Sequence, residues 1–113
     1  MNNIEGMLAV PGVSSLVIGS NDLSGSLGLL GQPRHPQVLK AIDKVIAASQ
    51  RANVPVGIGI GNDAAVISEW ISKGMQWVAM GNDAGLLLTG LDQVSQQVRD
   101  FIQRRAATKS AEV

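Results

Sequence analysis

The sequence predicts an α/β fold, a three-stranded parallel sheet with helical crossovers that forms part of a larger barrel. Three observations lead there. Residues 16–19, 54–61 and 77–81 are short apolar runs that each close on glycine and pass into Asn-Asp. Continuous runs of this length suit parallel strands covered on both faces. Helical periodicity separates the runs, and such alternation means a parallel sheet with right-handed crossovers. The chain has 113 residues, whereas a closed (β/α)8 barrel takes about 250. Three parallel strands alone leave two bare edges and an uncovered face. The expectation is therefore part of a barrel, or a protomer that finishes its core with copies of itself.

Taken in order, residues 4–9 read as a short helix that stops before Pro11-Gly12, and the first strand follows. Pro36 sits where a first-turn proline belongs. Val38, Ala41, Ile42, Val45, Ile46 and Ser49 then keep i, i+3, i+4, i+7 spacing, with Lys40, Asp43, Lys44 and Gln50 outward. This helix is expected to end near Asn53, because Pro55 disfavours helical backbone before it. Val66, Ile67, Trp70 and Ile71 form a second stripe, closed by Lys73-Gly74 as a basic last turn and glycine cap. Leu91, Val94, Val98, Phe101 and Ile102 form a third. The pattern fades after Arg105, which divides the chain into a structured segment, 1–105, and a frayed tail, 106–113.

Composition narrows the function. Nine basic residues balance nine acidic ones, so no electrostatic case exists for nucleic acid or an anionic membrane as partner. Aromatic residues are 3% of the chain, too few for base-stacking platforms. Cysteine is absent, which excludes disulfides and thiolate zinc sites. No apolar run reaches the roughly 18 residues of a membrane span, and residues 1–6 do not read as a signal peptide. The expected setting is cytoplasmic.

The chemistry concentrates in Val17-Ile18-Gly19-Ser20-Asn21-Asp22-Leu23-Ser24-Gly25-Ser26-Leu27-Gly28. A buried strand that ends in Gly and delivers an Asp at its C-terminal end is how α/β enzymes present a metal ligand or an acid/base group. Asn and Asp also cap helices by accepting free N–H groups. Capping is the reading for Asp63 and Asp83; for Asp22 both roles stay open. His35, between Arg34 and Pro36, reads as a surface or subunit contact. Gly57-x-Gly59-x-Gly61 lacks the lysine of a phosphate loop, and its alternation along a strand reads as close packing inside a barrel. Trp70 and Trp77 read as core. Ser24 and Ser26 have no nearby base for nucleophilic catalysis.

At Gly19-Ser20-Asn21-Asp22-Leu23-Ser24 with Leu27-Gly28, the sequence resembles the HpcH/HpaI aldolase family, metal-dependent pyruvate aldolases on a (β/α)8 barrel with citrate lyase β subunits and macrophomate synthase among their relatives. The likeness extends through Val10-Pro11-Gly12-Val13, Gly31-Gln32-Pro33, His35-Pro36-Gln37-Val38, Gly57-Ile58 and Gly74-Met75-Gln76-Trp77-Val78-Ala79-Met80-Gly81-Asn82-Asp83. It implies that the three strands are the sixth to eighth of the barrel. It implies Asp22 as one of two carboxylates on a divalent ion, Mg²⁺ or Mn²⁺, with Gly19, Ser20 and Asn21 binding the substrate and the backbone N–H groups of Ser20 and Asn21 reaching the pyruvate carboxylate. The family's second metal carboxylate, at the end of strand five, and its catalytic Arg and His have no counterpart here. The expected function is that of a carbon–carbon lyase related to the 4-hydroxy-2-oxo acid aldolases, not competent as a monomer. The partners expected are a small-molecule substrate and other copies in a homo-oligomer. Two alternatives stand beside it. One is a repurposed short homologue whose oligomeric apolar pocket cyclises a small molecule. The other is a non-catalytic assembly module built on the last helix.

Overall fold

In the computed structural model, which describes residues 3–111, the elements follow one another as α1 (Ile4–Leu8), β1 (Leu16–Gly19), α2 (Ser20–Ser26), α3 (Pro36–Ala52), β2 (Val56–Ile60), α4 (Ala64–Ser72), β3 (Trp77–Met80) and α5 (Asp83–Ala111). The strands form one parallel sheet in the order β1-β2-β3. This is the three-stranded α/β piece of a barrel that the alternation predicts.

Register sorts the side chains into two faces. Ile18, Ile58 and Val78 lie abreast, and Leu16 pairs with Val56. This face meets α3, whose Val38, Ile42, Val45 and Ile46 supply the apolar stripe, and Val38, Ile42, Val56 and Ile58 are fully buried. Val17, Gly57 and Trp77 lie abreast on the opposite face, as do Gly19, Gly59 and Ala79. There Val17 is 59% and Trp77 38% exposed.

Local chemistry explains the helix ends. α3 starts at Pro36, and the His35 ring Nδ1 accepts the Gln37 N–H at 3.3 Å. It stops at Asn53, which takes the left-handed conformation (φ 53°, ψ 37°) that Asn tolerates better than most residues. Asp63 caps α4, accepting from the N–H groups of Ala65 and Val66 at 2.8 and 3.1 Å. Within α4, Glu69 receives Arg34 at 2.7 Å and lies 3.8 Å from Lys73. The hydrogen bond from Arg34 holds the Glu69 carboxyl below its usual range, the charges of Arg34 and Lys73 adding to it and partial desolvation opposing. The Lys73 ammonium also lies over the Trp70 ring, 4.8 Å from its centroid.

Several details depart from the sequence reading. α2 is a helix that Ser-Asn-Asp-Leu-Ser-Gly-Ser, a run of weak helix formers, does not announce. Ile71, placed in the second stripe, is exposed, and so is Trp77, placed in the core, while Trp70 is buried as expected. Close packing holds at Gly57, where a methyl group would collide with the Trp77 ring and carbonyl, but Gly59 and Gly61 face open space. Residues 1–81 and 82–113 form two compact units. In the second, α5 begins at Asp83, capped by Asn82 through a 2.7 Å bond from the Gly85 N–H, and continues through residues 106–111. Glu112 and Val113, the end of the expected tail, lie outside the described residues, as do Met1 and Asn2. The apolar stripe of α5 is present, and its side chains are exposed.

Candidate functional site

The site is built where β1 turns into α2. No loop intervenes: Gly19 ends the strand and Ser20 opens the helix. Gly19 serves as N-cap with an extended backbone (φ −87°, ψ 102°), and no side chain caps α2. Asp22 lies in the first turn, where the helix dipole favours a negative charge. A methyl group at Gly19 would run into the Asp22 carboxylate. The glycine is therefore what lets that carboxylate fold back over the strand end. Ser20 and Asn21 lie between them, Ser20 half-buried and Asn21 exposed. The structure thus gathers Gly19, Ser20, Asn21 and Asp22 into one strand-to-helix joint.

The three Asn-Asp joints differ in how their side chains are used. Asp63 spends its carboxylate on two N–H groups of α4. Asn82 and Asp83 accept the Gly85 and Ala84 N–H groups at the start of α5. Asp22 makes no hydrogen bond or ion pair to any described residue and is exposed to solvent. Capping therefore accounts for the second and third joints and not for the first.

Asp22 lines a groove of about 540 Å³ whose walls also include Asn3, Met7, Val17, Leu23 and Val45. The groove follows the edge of β1 that has no neighbouring strand. Its lining is largely apolar, with Asp22, Asn3 and Ser26 as the polar side chains. Composition could not reveal this groove, because it exists only where α1 and α2 flank an unpaired strand.

Other candidates have structural work. The Ser24 and Ser26 hydroxyls donate to the Asn21 and Leu23 carbonyls at 2.7 and 2.8 Å, as expected of residues without a base. His35 is the cap of α3, a role that its place before a first-turn proline signals. Trp77 reaches across Gly57 and donates from Nε1 to the Ser15 hydroxyl at 2.8 Å, tying β3 to the start of β1. The large-beside-small pairing of Trp77 with Gly57 was the missed sequence signal.

The donor set decides what the joint can hold. Among the described residues, no cluster of three or more His, Cys, Asp or Glu could hold a metal ion. Mg²⁺ is usually held by one or two carboxylates together with water and substrate oxygens, and Asp22 stands alone. The residues present do not by themselves make a metal site.

Comparison with known proteins identifies the family and the fold. The HpcH/HpaI aldolase/citrate lyase profile matches residues 1–89. The 5-keto-4-deoxy-D-glucarate aldolase of Escherichia fergusonii is 34% identical over 101 residues, 88% of this chain and 38% of that protein. The 4-hydroxy-2-oxo-heptane-1,7-dioate aldolase of Salmonella paratyphi B is 34% identical over 95 residues, 84% of this chain and 36% of that protein. The crystal structure of an HpcH/HpaI aldolase/citrate lyase family protein from Burkholderia cenocepacia superposes with a TM-score of 0.83 at 39% identity, covering 87% of this chain and 38% of that one. The chain thus spans well under half the length of the relatives it matches. Among the described residues, no helix is long and apolar enough to cross a membrane.

Proposed function

The chain belongs to the HpcH/HpaI aldolase/citrate lyase family, and from that premise we propose that it supplies one carboxylate and the substrate-carboxylate cradle of a carbon–carbon lyase acting on 4-hydroxy-2-oxo acids. The observation that carries the proposal is the unspent carboxylate of Asp22, set at a strand end by a glycine that makes room for it. In this reading the Ser20 and Asn21 backbone N–H groups receive the 2-oxo acid carboxylate, and their small side chains leave the approach clear. The C4 hydroxyl loses its proton as the C3–C4 bond breaks, which releases an aldehyde and leaves the enolate of pyruvate, whose C3 then takes a proton. A divalent cation such as Mg²⁺ or Mn²⁺, shared between Asp22 and a carboxylate from outside this chain, would act there as a Lewis acid.

The remaining barrel strands, on the same or another polypeptide, cover the β1 edge and bring the groups this chain lacks.

The test is complementation. The chain is combined with the part of the 4-hydroxy-2-oxo-heptane-1,7-dioate aldolase that it does not align with, and exchange of the pyruvate C3 protons is followed in deuterated water. Metal-dependent exchange is expected from the combination, from neither part alone, and not from a combination carrying Asp22→Asn. Exchange that survives Asp22→Asn contradicts the assignment.

A further inference from the structure

β2 is the central strand of the sheet, and on the face opposite α3 its residues are Gly57 and Gly59, so it carries no side chain there. Glycine inside a strand weakens it. Where it persists, it often marks a bulge or a place where a ligand or another chain segment comes close. Gly57 has its reason within the chain. The Trp77 indole lies across it, and a methyl group there would collide with the ring and the Trp77 carbonyl. That ring is fixed by Nε1, which donates to the Ser15 hydroxyl at 2.8 Å, while the hydroxyl donates to the Pro55 carbonyl at 3.1 Å. Gly59 has no such reason. Its φ is not positive, it pairs in regular register with Gly19 and Ala79, and within residues 3–81 a methyl group on it would meet nothing within 4 Å.

Position supplies the reason. Gly59 lies one strand spacing from Gly19, about 4.8 Å. The Asp22 carboxylate occupies the place where a Gly19 side chain would begin, so it stands on the same face as the bare Gly59 backbone. Toward the other end of β2, the Trp77 indole covers Gly57, two residues and about 7 Å before Gly59. A recess therefore remains between carboxylate and indole, with the Gly59 backbone as its floor. Gly19, Asp22, Gly59 and Trp77 bring no positive charge to it, so it suits uncharged carbons rather than a second acid group.

We propose, resting on the lyase reading, that Gly59 is a specificity-determining residue of the site: its missing side chain leaves room for the carbon skeleton of the 2-oxo acid. A substrate whose carboxylate is received at Ser20 and Asn21 can run off the free edge of β1 or across β2. The free edge is the one a further strand must pair with. The glycine that packing does not explain lies on the other path, and the substrate carbons then rest over β2 between the Asp22 carboxylate and the Trp77 indole.

The test combines the full chain with a saturating amount of the complementary part of the 4-hydroxy-2-oxo-heptane-1,7-dioate aldolase and reads KM and kcat for exchange of the pyruvate C3 protons. Gly59→Ala, Gly59→Val and Gly59→Leu form a series of growing side chains. KM is expected to rise along it, by at least about tenfold at Val, with kcat changing far less. The urea midpoint of the chain alone should not fall, because the space is open and strands favour branched residues. An unchanged KM across the series overturns the inference and leaves the lyase reading standing. Weaker association of the two parts at unchanged KM means that a side chain from outside this chain fills the recess, which also overturns it. A rise in KM matched by a fall in the urea midpoint traces the effect to misfolding and does the same. Exchange that is absent from the unsubstituted combination, or that survives Asp22→Asn, overturns the lyase reading and this inference with it.

Discussion

The two faces of the sheet follow opposite rules. The face that meets α3 is complete: Val56 and Ile58 of β2 are fully buried against Val38 and Ile42. The other face carries Val17, Gly57, Trp77, Gly19, Gly59 and Ala79, and within described residues 3–81 little covers it beyond the Trp77 ring lying on Gly57. In a closed barrel that second face is the interior. The difference teaches that packing of the sheet is encoded locally, whereas the open face, whose Gly19 abuts the Asp22 carboxylate, is left for residues outside the chain.

Substitutions can break this contrast in order of size. Ile58→Ala, on the packed face, is expected to lower stability by about 2–5 kcal/mol through lost burial and a cavity, read by urea denaturation. Val17→Ala, on the open face, should stay within about 0.5 kcal/mol. Equal effects would erase the distinction between the faces. Gly57→Ala should cost about 1–3 kcal/mol, because the added methyl meets the Trp77 ring and carbonyl. Gly59→Ala, which meets nothing, should be far milder. Asp63→Ala removes the cap of α4 and should cost about 1 kcal/mol, whereas Asp22→Ala, which breaks no hydrogen bond, should fall within about 0.5 kcal/mol. A large loss at Asp22 would assign it a structural role instead.

The smallest effect concerns pH. Arg34 holds the Glu69 carboxyl below its ordinary value, so this pair stabilises the fold above the unfolded carboxylate range. That contribution is lost as pH falls through the depressed folded value. Arg34→Ala should flatten this part of the acid-unfolding profile, and an unchanged profile would remove the pair from the account.

Much of this was legible in the residues. Each strand was visible as an apolar run stopped by glycine, and α3 declared itself through Pro36, its apolar stripe and Asn53. The family likeness pointed to the joint at residues 19–22, and the structure gathers those residues. α2 escaped because it is held by tertiary packing, with Ser24 fully buried and Leu23 against the core, rather than by propensity. The placement of Trp77 escaped because its face is fixed by register with Gly57, a long-range pairing. The extent of α5 escaped because Gly85 and Gly90 interrupt the pattern at its start.

The most direct test of the central claim, that the second face of the sheet is a barrel interior awaiting cover, is the accessibility of Trp77. With Trp70→Phe leaving Trp77 as the sole indole, acrylamide quenching is measured on the chain alone and after combination with the complementary part of the aldolase relative. The account predicts efficient quenching in the first case and strong protection with a blue-shifted emission in the second. Identical quenching in both, in a combination shown to associate, would contradict it.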